Sequence, residues 1–403
     1  MKNFFARIKR VDSRIDYGIV LSVFCLSLIG LAALYVALSH SSVKINIPVA
    51  MTKQLMWYVI GVAACIVLMN LKPKWLWKLT PWAYGASLAL MAALLVFYDK
   101  DLAKVTGSKN WFSFHGFSFQ PSEIMKIAFI LMLAKIIAEH NNIYKKKFAV
   151  NDVILIGKMI AVLAPVAILI ALQDDFGTML VFLAIMAGMF LVSGISWKII
   201  LPVLVLFGGL ASSGLYMVTS DSGRKILHGI GFKEYQFKRV DGWIDALTGH
   251  LSGYSQIKQG IMAISNGGLF GKGFNHSDVY VPVRESDMIF TVIGENFGFV
   301  GSCVLIILYF YLIYSLVSTA LNIGNPFYIF ITTGITMMIL FHVFENIGAN
   351  IGLLPLTGIP LPFVSQGGSS LLANMMGIGL AMAMRFQFNP SQMDGIKIKE
   401  RKS

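Results

Sequence analysis

The sequence predicts an all-α, polytopic integral membrane protein with about ten transmembrane helices and one large extracellular loop. Three observations carry this. Of 403 residues, 56% are hydrophobic and 13% are charged, where a soluble domain carries about a quarter charged residues. Mean hydropathy is +0.71. Apolar runs recur at lengths near the roughly 20 residues needed to cross a bilayer.

Residues 1–16 form a polar N-terminal segment with Lys2, Arg7, Lys9, Arg10 and Arg14. The first apolar run, about 17–38, is too long for the core of a signal peptide and has no small-residue cleavage site after it, so it reads as a retained helix. A second span is placed at about 54–71. The third runs from the turn bearing Lys72, Lys74 and Lys78 to about residue 98. Residues 99–119 make a polar outer loop. The fourth span opens at Gln120-Pro121-Ser122-Glu123, because proline and a carboxylate in the first turn both suit a helix N-terminus, and ends near Glu139. A loop with Lys145, Lys146 and Lys147 precedes the fifth span, which ends near Leu172. Gln173 to Thr178 interrupts the apolar pattern. The sixth span reaches Val192 and the seventh about Val218, and residues 219–287 form the large polar loop. The last three spans fall at about 288–315, at 326–347 and up to Arg385, leaving 386–403 as a basic tail. The whole chain, 1–403, reads as a single membrane domain.

Net charge is +13. No nucleic-acid-binding module is readable; the excess fits the positive-inside bias and attraction to anionic membrane lipids. Cys25, Cys65 and Cys303 all lie in apolar runs and read as small packing residues. The seven histidines show no metal-ligand spacing.

Candidate chemistry sits where the apolar pattern breaks. Asp287, directly before the eighth span, is either an N-cap for free N–H groups or a general base on a substrate hydroxyl. Gly267, Gly268, Gly271 and Gly273, with Lys272 among them, make either plain turns or a cradle of backbone N–H groups for a phosphate. They are not a Walker sequence, because no GK[ST] helix follows. Glu123 and Lys126, one turn apart, either neutralise each other or serve a site, since an unpaired charge inside the membrane costs about 2.5–3.5 kcal/mol. Asp174, Asp175 and Glu345 pose the same choice. Trp111 is an interfacial anchor or a site residue. Residues 346–370 are too apolar for a solvated loop and too rich in glycine and proline for a helix; irregular backbone at this depth is tolerated where it lines a cavity.

Six stretches together resemble one family. They are GSKNW ending at Trp111, QPSE at 120–123 with Lys126, QDDFGT at 173–178, NGGLFGKG at 266–273, PVRESDMIF at 282–290 and GLLPLTGIPLPFVSQGGSS at 352–370. In order and spacing they are similar to the SEDS proteins (shape, elongation, division and sporulation), the RodA, FtsW and SpoVE peptidoglycan glycosyltransferases. The last stretch, preceded by FENIGAN, resembles the RodA elongation branch. Asn110 stands where the family usually has Arg, and Glu295-Asn296 where it has two acids.

The resemblance implies an enzyme that polymerises lipid II into glycan strands during cell elongation and shape maintenance, by inverting transfer with release of undecaprenyl pyrophosphate. It implies Asp287 as the catalytic residue. Around the substrate it implies Trp111, Glu123, Lys126, Asp175, Lys272, Arg284, Glu285, Ser365, Gly367 and Ser369. The leaving charge needs cations, which Lys126, Arg284, Lys272 or a divalent cation (Mg or Mn) could supply; no ligand set for such an ion is readable. The implied partner is a class B penicillin-binding protein, a single-pass transpeptidase, docked on the eighth and ninth spans. A lipid II flippase, favoured by intramembrane Glu123, Lys126 and Glu345, and a non-catalytic scaffold for that transpeptidase stay open as alternatives.

Ten spans put both termini on one side. The N-terminus, the turn after the second span, residues 145–147, Lys198 and the tail share that side and hold most of the short-loop Lys and Arg. That side is expected to be cytoplasmic in a bacterial plasma membrane, with Trp111, Asp175, Asp287 and Gly367-Gly368 facing outside. In protein stripped of its native cysteines, an impermeant thiol reagent applied from outside is expected to label Ser252→Cys and not Lys146→Cys. The reverse labelling would reject this orientation.

Overall fold

The computed structural model describes residues 15–42, 45–114, 117–145, 148–229, 237, 240–245 and 256–387. The two basic termini, Lys146, Lys147, Lys233, Lys238, Arg239 and Ser252 lie outside the described residues. Among the described residues, ten long helices stand where the ten spans were expected. They are α1 (Tyr17–Ser39), α2 (Ile47–Asn70), α3 (Pro73–Phe97), α5 (Pro121–Ile143), α6 (Ala149–Leu172), α7 (Phe176–Val192), α8 (Trp197–Thr219), α11 (Ile289–Ile323), α12 (Pro326–Asn350) and α13 (Ser369–Gln387). Seven of them, α1, α2, α3, α6, α8, α11 and α12, are long and apolar enough to cross a membrane. Their outward faces are apolar, as at Val59, Trp82 and Val205, which suits contact with lipid. The chain is an all-α, multi-pass membrane protein.

The loops hold more structure than polarity alone suggested. Residues 99–119 contain α4 (Lys100–Thr106) and a small hairpin, β1 (Phe112–Phe114) against β2 (Phe117–Phe119). Residues 219–287 contain α9 (Asp221–Gly229), helical residues 240–245, and α10 (Gln256–Gly267). Helix α2 starts at Ile47, earlier than expected, because Pro48 occupies the first turn and the Asn46 side chain accepts from Val49 N. Helix α12 runs past the expected end to Asn350.

Close approaches use small residues, as membrane bundles do. Helix α2 packs along α13, where a Cβ on Gly379 would fall 2.6 Å from Cys65 O. At one end of the bundle Asp16 caps α1 and accepts from Arg385 at 2.6 Å and Thr319 at 2.8 Å, tying α1, α13 and α11. Central helix α12 touches α5, α7, α11 and α13.

Two breaks in the helical pattern position the site. The first is in α11, which is interrupted at Gly298 (φ 64°, ψ −159°). A kink frees carbonyls before it and N–H groups after it. The glycine-rich loop after α10 supplies partners on both sides of the break. Lys272 N donates to Glu295 O at 2.9 Å and Gly273 N to Asn296 O at 3.1 Å, while Phe299 N donates to Gly268 O and Val300 N to Leu269 O. Gly271 and Gly267 lie so close to α11 that a Cβ on either would overlap its backbone. The loop is thus a splint for the broken helix and not a phosphate cradle: the N–H groups of Gly271, Lys272 and Gly273 are spent on protein carbonyls.

The second break is residues 351–368, between α12 and α13. Pro362 O accepts from Tyr309 Oη at 2.5 Å and Phe363 O from Tyr58 Oη at 2.7 Å, while Ile359 O accepts from Asn346 Nδ2. Phe363 takes φ 63°, unusual for a bulky residue. Gly30 of α1 lets this segment sit against the helix, since a Cβ there would meet Val364 Cα at 2.7 Å.

Candidate active site

Asp287 is half-buried in a turn spanning 282–288. Helix α11 begins at Ile289, and Met288, with no side-chain cap bond, takes the cap position. The N-cap reading of Asp287 is therefore corrected: the residue stands one position outside the cap. Its backbone is gripped instead. Asp287 O accepts from Asn346 Nδ2 at 2.8 Å and Asn350 Nδ2 at 2.9 Å. Its carboxylate faces the second break, where a Cβ built on Gly358 would lie 3.9 Å from Asp287 Oδ2. The same turn is pinned twice more: Ser365 Oγ donates to Ser286 O at 2.6 Å, and Gln366 N donates to Glu285 O at 2.8 Å. Within it Val283 has φ 53°. A β-branched residue there is a real outlier, and such strain gathers where surrounding structure fixes a functional turn.

Arg284 is buried, and Nη1 donates to Ser277 Oγ at 2.6 Å. Ser277 Oγ donates on to Glu295 Oε2 at 3.0 Å, and Glu295 Oε1 accepts the N–H groups of Asp278 and Val279. Burial holds the Arg284 pKa below the usual guanidinium value, opposed by the Glu295 and Glu285 carboxylates. Glu295 and Asn296, which differ from the family pattern, thus fasten the 276–279 segment to α11; Asn296 Oδ1 accepts from His276 N. Lys272 stands on the outer side of that segment, 41% exposed and 3.5 Å from Asp278.

Glu123 and Lys126 meet one turn into α5. Lys126 Nζ lies 2.9 Å from both Glu123 oxygens and 3.1 Å from His342 Nε2 of α12, and all three side chains are buried. A protonated lysine makes that imidazole nitrogen the acceptor. His342, Asn346 and Asn350 share one face of α12 at successive four-residue steps of about 6 Å. One polar edge therefore touches Lys126 at one level and carries Asp287 above it. Glu345 is also buried on α12.

Asp175 holds three stretches together. Its carboxylate accepts from Asn110 Nδ2 at 2.7 Å, Gln120 Nε2 at 3.0 Å and Thr178 Oγ1 at 2.9 Å, and it caps α7. Asn110, the departure from arginine, is explained by this bond. Gln120 N donates to Ser369 Oγ, and Gly367 N to Gln54 Oε1. Gly368 lies against the Trp57 ring. Ser369 thus ties the start of α13 to the entrance of α5, Gly367 ties the preceding turn to α2, and Asp175 ties the α5 entrance to α7. Trp111 is half-buried, placed by its carbonyl accepting from Asp99 N.

The structure gathers Asp287, Glu285 and Ser365 at one turn, joins Glu123 and Lys126 to the same α12 edge, and sets Lys272 and Arg284 on either side of the 276–279 segment. Sequence reasoning missed His342, Asn350 and Ser277. The readable signal was a polar residue every fourth position on an otherwise apolar span. Among the described residues, no three His, Cys, Asp or Glu side chains converge.

Residues 17–389 match the family model FtsW, RodA, SpoVE, described as cell cycle protein. The chain is 30% identical to stage V sporulation protein E of Bacillus subtilis over 337 residues, 82% of this chain and 85% of that one. It is 31% identical to peptidoglycan glycosyltransferase MrdB of Escherichia coli over 330 residues, 80% and 82% of the two chains. Among solved structures it is similar to a chain from work on the structural coordination of polymerization and crosslinking by a peptidoglycan synthase complex. That match has TM-score 0.72 and 26% identity over 92% of this chain and 98% of that one. It is also similar to the Thermus thermophilus rod shape determining protein RodA, with TM-score 0.64 and 27% identity over 92% and 96%.

Removing one partner of a buried ion pair costs about 3–5 kcal/mol, whereas replacing both with apolar groups is often neutral. Glu123→Ala is accordingly expected to lower the thermal midpoint in detergent markedly, and Glu123→Leu with Lys126→Met to recover most of the loss. Equal loss in both would contradict a mutually compensated pair.

Proposed function

The chain belongs to the FtsW, RodA and SpoVE family of cell cycle proteins and is a membrane-embedded peptidoglycan glycosyltransferase, and we propose that it polymerises lipid II with Asp287 as its catalytic base. The acceptor 4-hydroxyl attacks C1 of the growing chain. The new C1–O bond forms as the C1–O bond to undecaprenyl pyrophosphate breaks, with inversion, and the hydroxyl proton passes to the Asp287 carboxylate. The leaving pyrophosphate keeps its electron pair, and one general base suffices for an inverting transfer.

The observation that carries this reading is Asp287 itself. Its main chain is held by Asn346 and Asn350, and its carboxylate is turned toward the Gly358 segment without serving as the helix cap. Lys272, half-exposed beside the 276–279 segment, is the cation with the reach to meet the leaving phosphates. Buried Arg284 and half-buried Glu285 act as positioning groups for the turn, and the Glu123–Lys126 pair braces α5 below it. Asp175, Ser365, Gly367, Ser369 and Trp111 are proposed to contact the substrate around this turn. The FENIGAN stretch on α12 supports the elongation branch, hence a role in cell shape.

We also propose that both termini are cytoplasmic with the site outside, which the short-loop charge bias supports, and that the partner is a class B penicillin-binding protein. An apolar groove of about 200 Å³ between α11 and α12, with Ile306, Phe310, Val343 and Phe344 along it, supports a single transmembrane helix docking there, as does likeness to a chain from a complex that couples polymerization with crosslinking.

The test is glycan polymer formed from labelled lipid II by matched amounts of folded wild type and Asp287→Asn, each with and without such a partner. Loss of a general base costs about 10²–10⁴ in rate, and no cap is lost. Polymer from wild type, raised by the partner and reduced by that factor in Asp287→Asn, is expected. Equal yields would remove Asp287 from catalysis and make Glu285 the next candidate; translocation without polymer would favour a flippase.

A further inference from the structure

A polar cavity lies at the other end of the bundle. Along α5, Glu123 and His140 are separated by about 26 Å at 1.5 Å per residue. The last turn of α5, the start of α6 and the α7–α8 turn enclose about 170 Å³ there. No residue that positions Asp287 lines it.

The cavity has a built interior. His140 is 3% exposed and lines it; its ring bonds the Asn151 backbone, and its Nδ1 is buried with no hydrogen-bond partner among the described residues. A buried polar atom left so costs free energy unless something fills the space beside it. The neighbouring polar groups are committed to holding the walls. Asp152 Oδ2 accepts from Ser196 N at 3.0 Å, and Asn141 Nδ2 donates to Ser193 O at 2.8 Å. The Tyr144 ring packs 4.6 Å from the His140 ring, and Lys158 Nζ stands 6.0 Å from the Tyr144 ring centre. Lys145 lines the mouth. Nearby Glu139 is turned toward Lys135, 4.0 Å away. Lys145 and the imidazole line the cavity with one carboxylate, Asp152, one of whose oxygens is engaged, and Lys158 stands near Tyr144, so the local charge favours an anion.

We propose that this cavity binds the phosphate group of an anionic ligand, with His140 as imidazolium donating from Nδ1 and Lys145 and Lys158 closing over the charge. Tetrahedral oxygens suit donors converging from several directions, and a single phosphate suits the volume. The source is either an anionic lipid headgroup or a free phosphate. Either would bridge α5, α6 and the α7–α8 turn and stabilise the folded chain by mass action.

The experiment is thermal unfolding of the purified full chain in detergent, followed by tryptophan fluorescence. Phosphatidylglycerol, phosphatidylcholine with the same acyl chains, and inorganic phosphate against chloride at equal ionic strength are added separately. Lys145 and Lys158 are exposed, so Lys145→Gln with Lys158→Gln leaves folding intact; His140→Asn is the second variant, and Lys72→Gln with Lys74→Gln the control. A midpoint raised by phosphatidylglycerol beyond phosphatidylcholine, lost in the first two variants and kept in the control, supports the site with a lipid source. A rise with inorganic phosphate under the same variant pattern supports it with a soluble source. No rise beyond phosphatidylcholine or chloride, a rise that survives both variants, or one that is lost equally in the control overturns it.

Discussion

Every backbone N–H and C=O inside a bilayer must find a partner in the protein, because an unpaired one costs several kcal/mol in hydrocarbon. A bundle of uninterrupted helices meets this demand trivially but offers no place for chemistry. This chain departs from helix at two depths, and each departure is closed by groups from elsewhere. The break at Gly298 is closed by the glycine loop, whose N–H groups and carbonyls take the place of the missing helical bonds. Residues 351–368 are closed by the hydroxyls of Tyr58, Tyr309 and Ser365 and by the Asn346 amide. Glycines at 271 and 30 are required because backbone meets backbone there.

The functional turn grows from those closures. Once the loop is bonded along α11, Glu295 can fold the 277–279 backbone onto the helix and Ser277 can hand the contact to Arg284. Arg284 leads directly into Asp287. From the other side α12 offers two amides to the Asp287 carbonyl and an imidazole to Lys126. The main chain of Asp287 is thus fixed by α12, separately from its carboxylate. A main chain fixed by the fold, with the carboxylate toward the Gly358 segment, suits the general base proposed for Asp287.

Much of this was legible in the residues. Apolar run length located all ten long helices, since 3.6-residue geometry and bilayer thickness leave little choice. The charged breaks marked Asp287, Glu123, Lys126 and Asp175. Less legible were the partners. Tyr58 reaches Phe363 across most of the chain, and nothing local to either residue announces the other. The glycine cluster was readable as a cradle or as turns; only the proximity of the Gly298 kink makes it a splint. Asp287 resembled an N-cap because the helix start was uncertain by a residue or two, the usual limit of boundary reading. Asn350 was hidden inside a stretch whose glycines and prolines drew attention to the loop and away from the end of α12.

Asn350→Ala tests the central claim most directly, because it leaves Asp287 in place and removes one of the two amides that hold its carbonyl. A misplacement on the order of 1 Å can cost about 10² in rate. In matched folded protein, lipid II polymerisation by Asn350→Ala is expected to fall by about that factor while the thermal midpoint falls only modestly. Polymerisation at the wild-type rate would contradict the account, since the turn would then hold its carboxylate without the grip of α12.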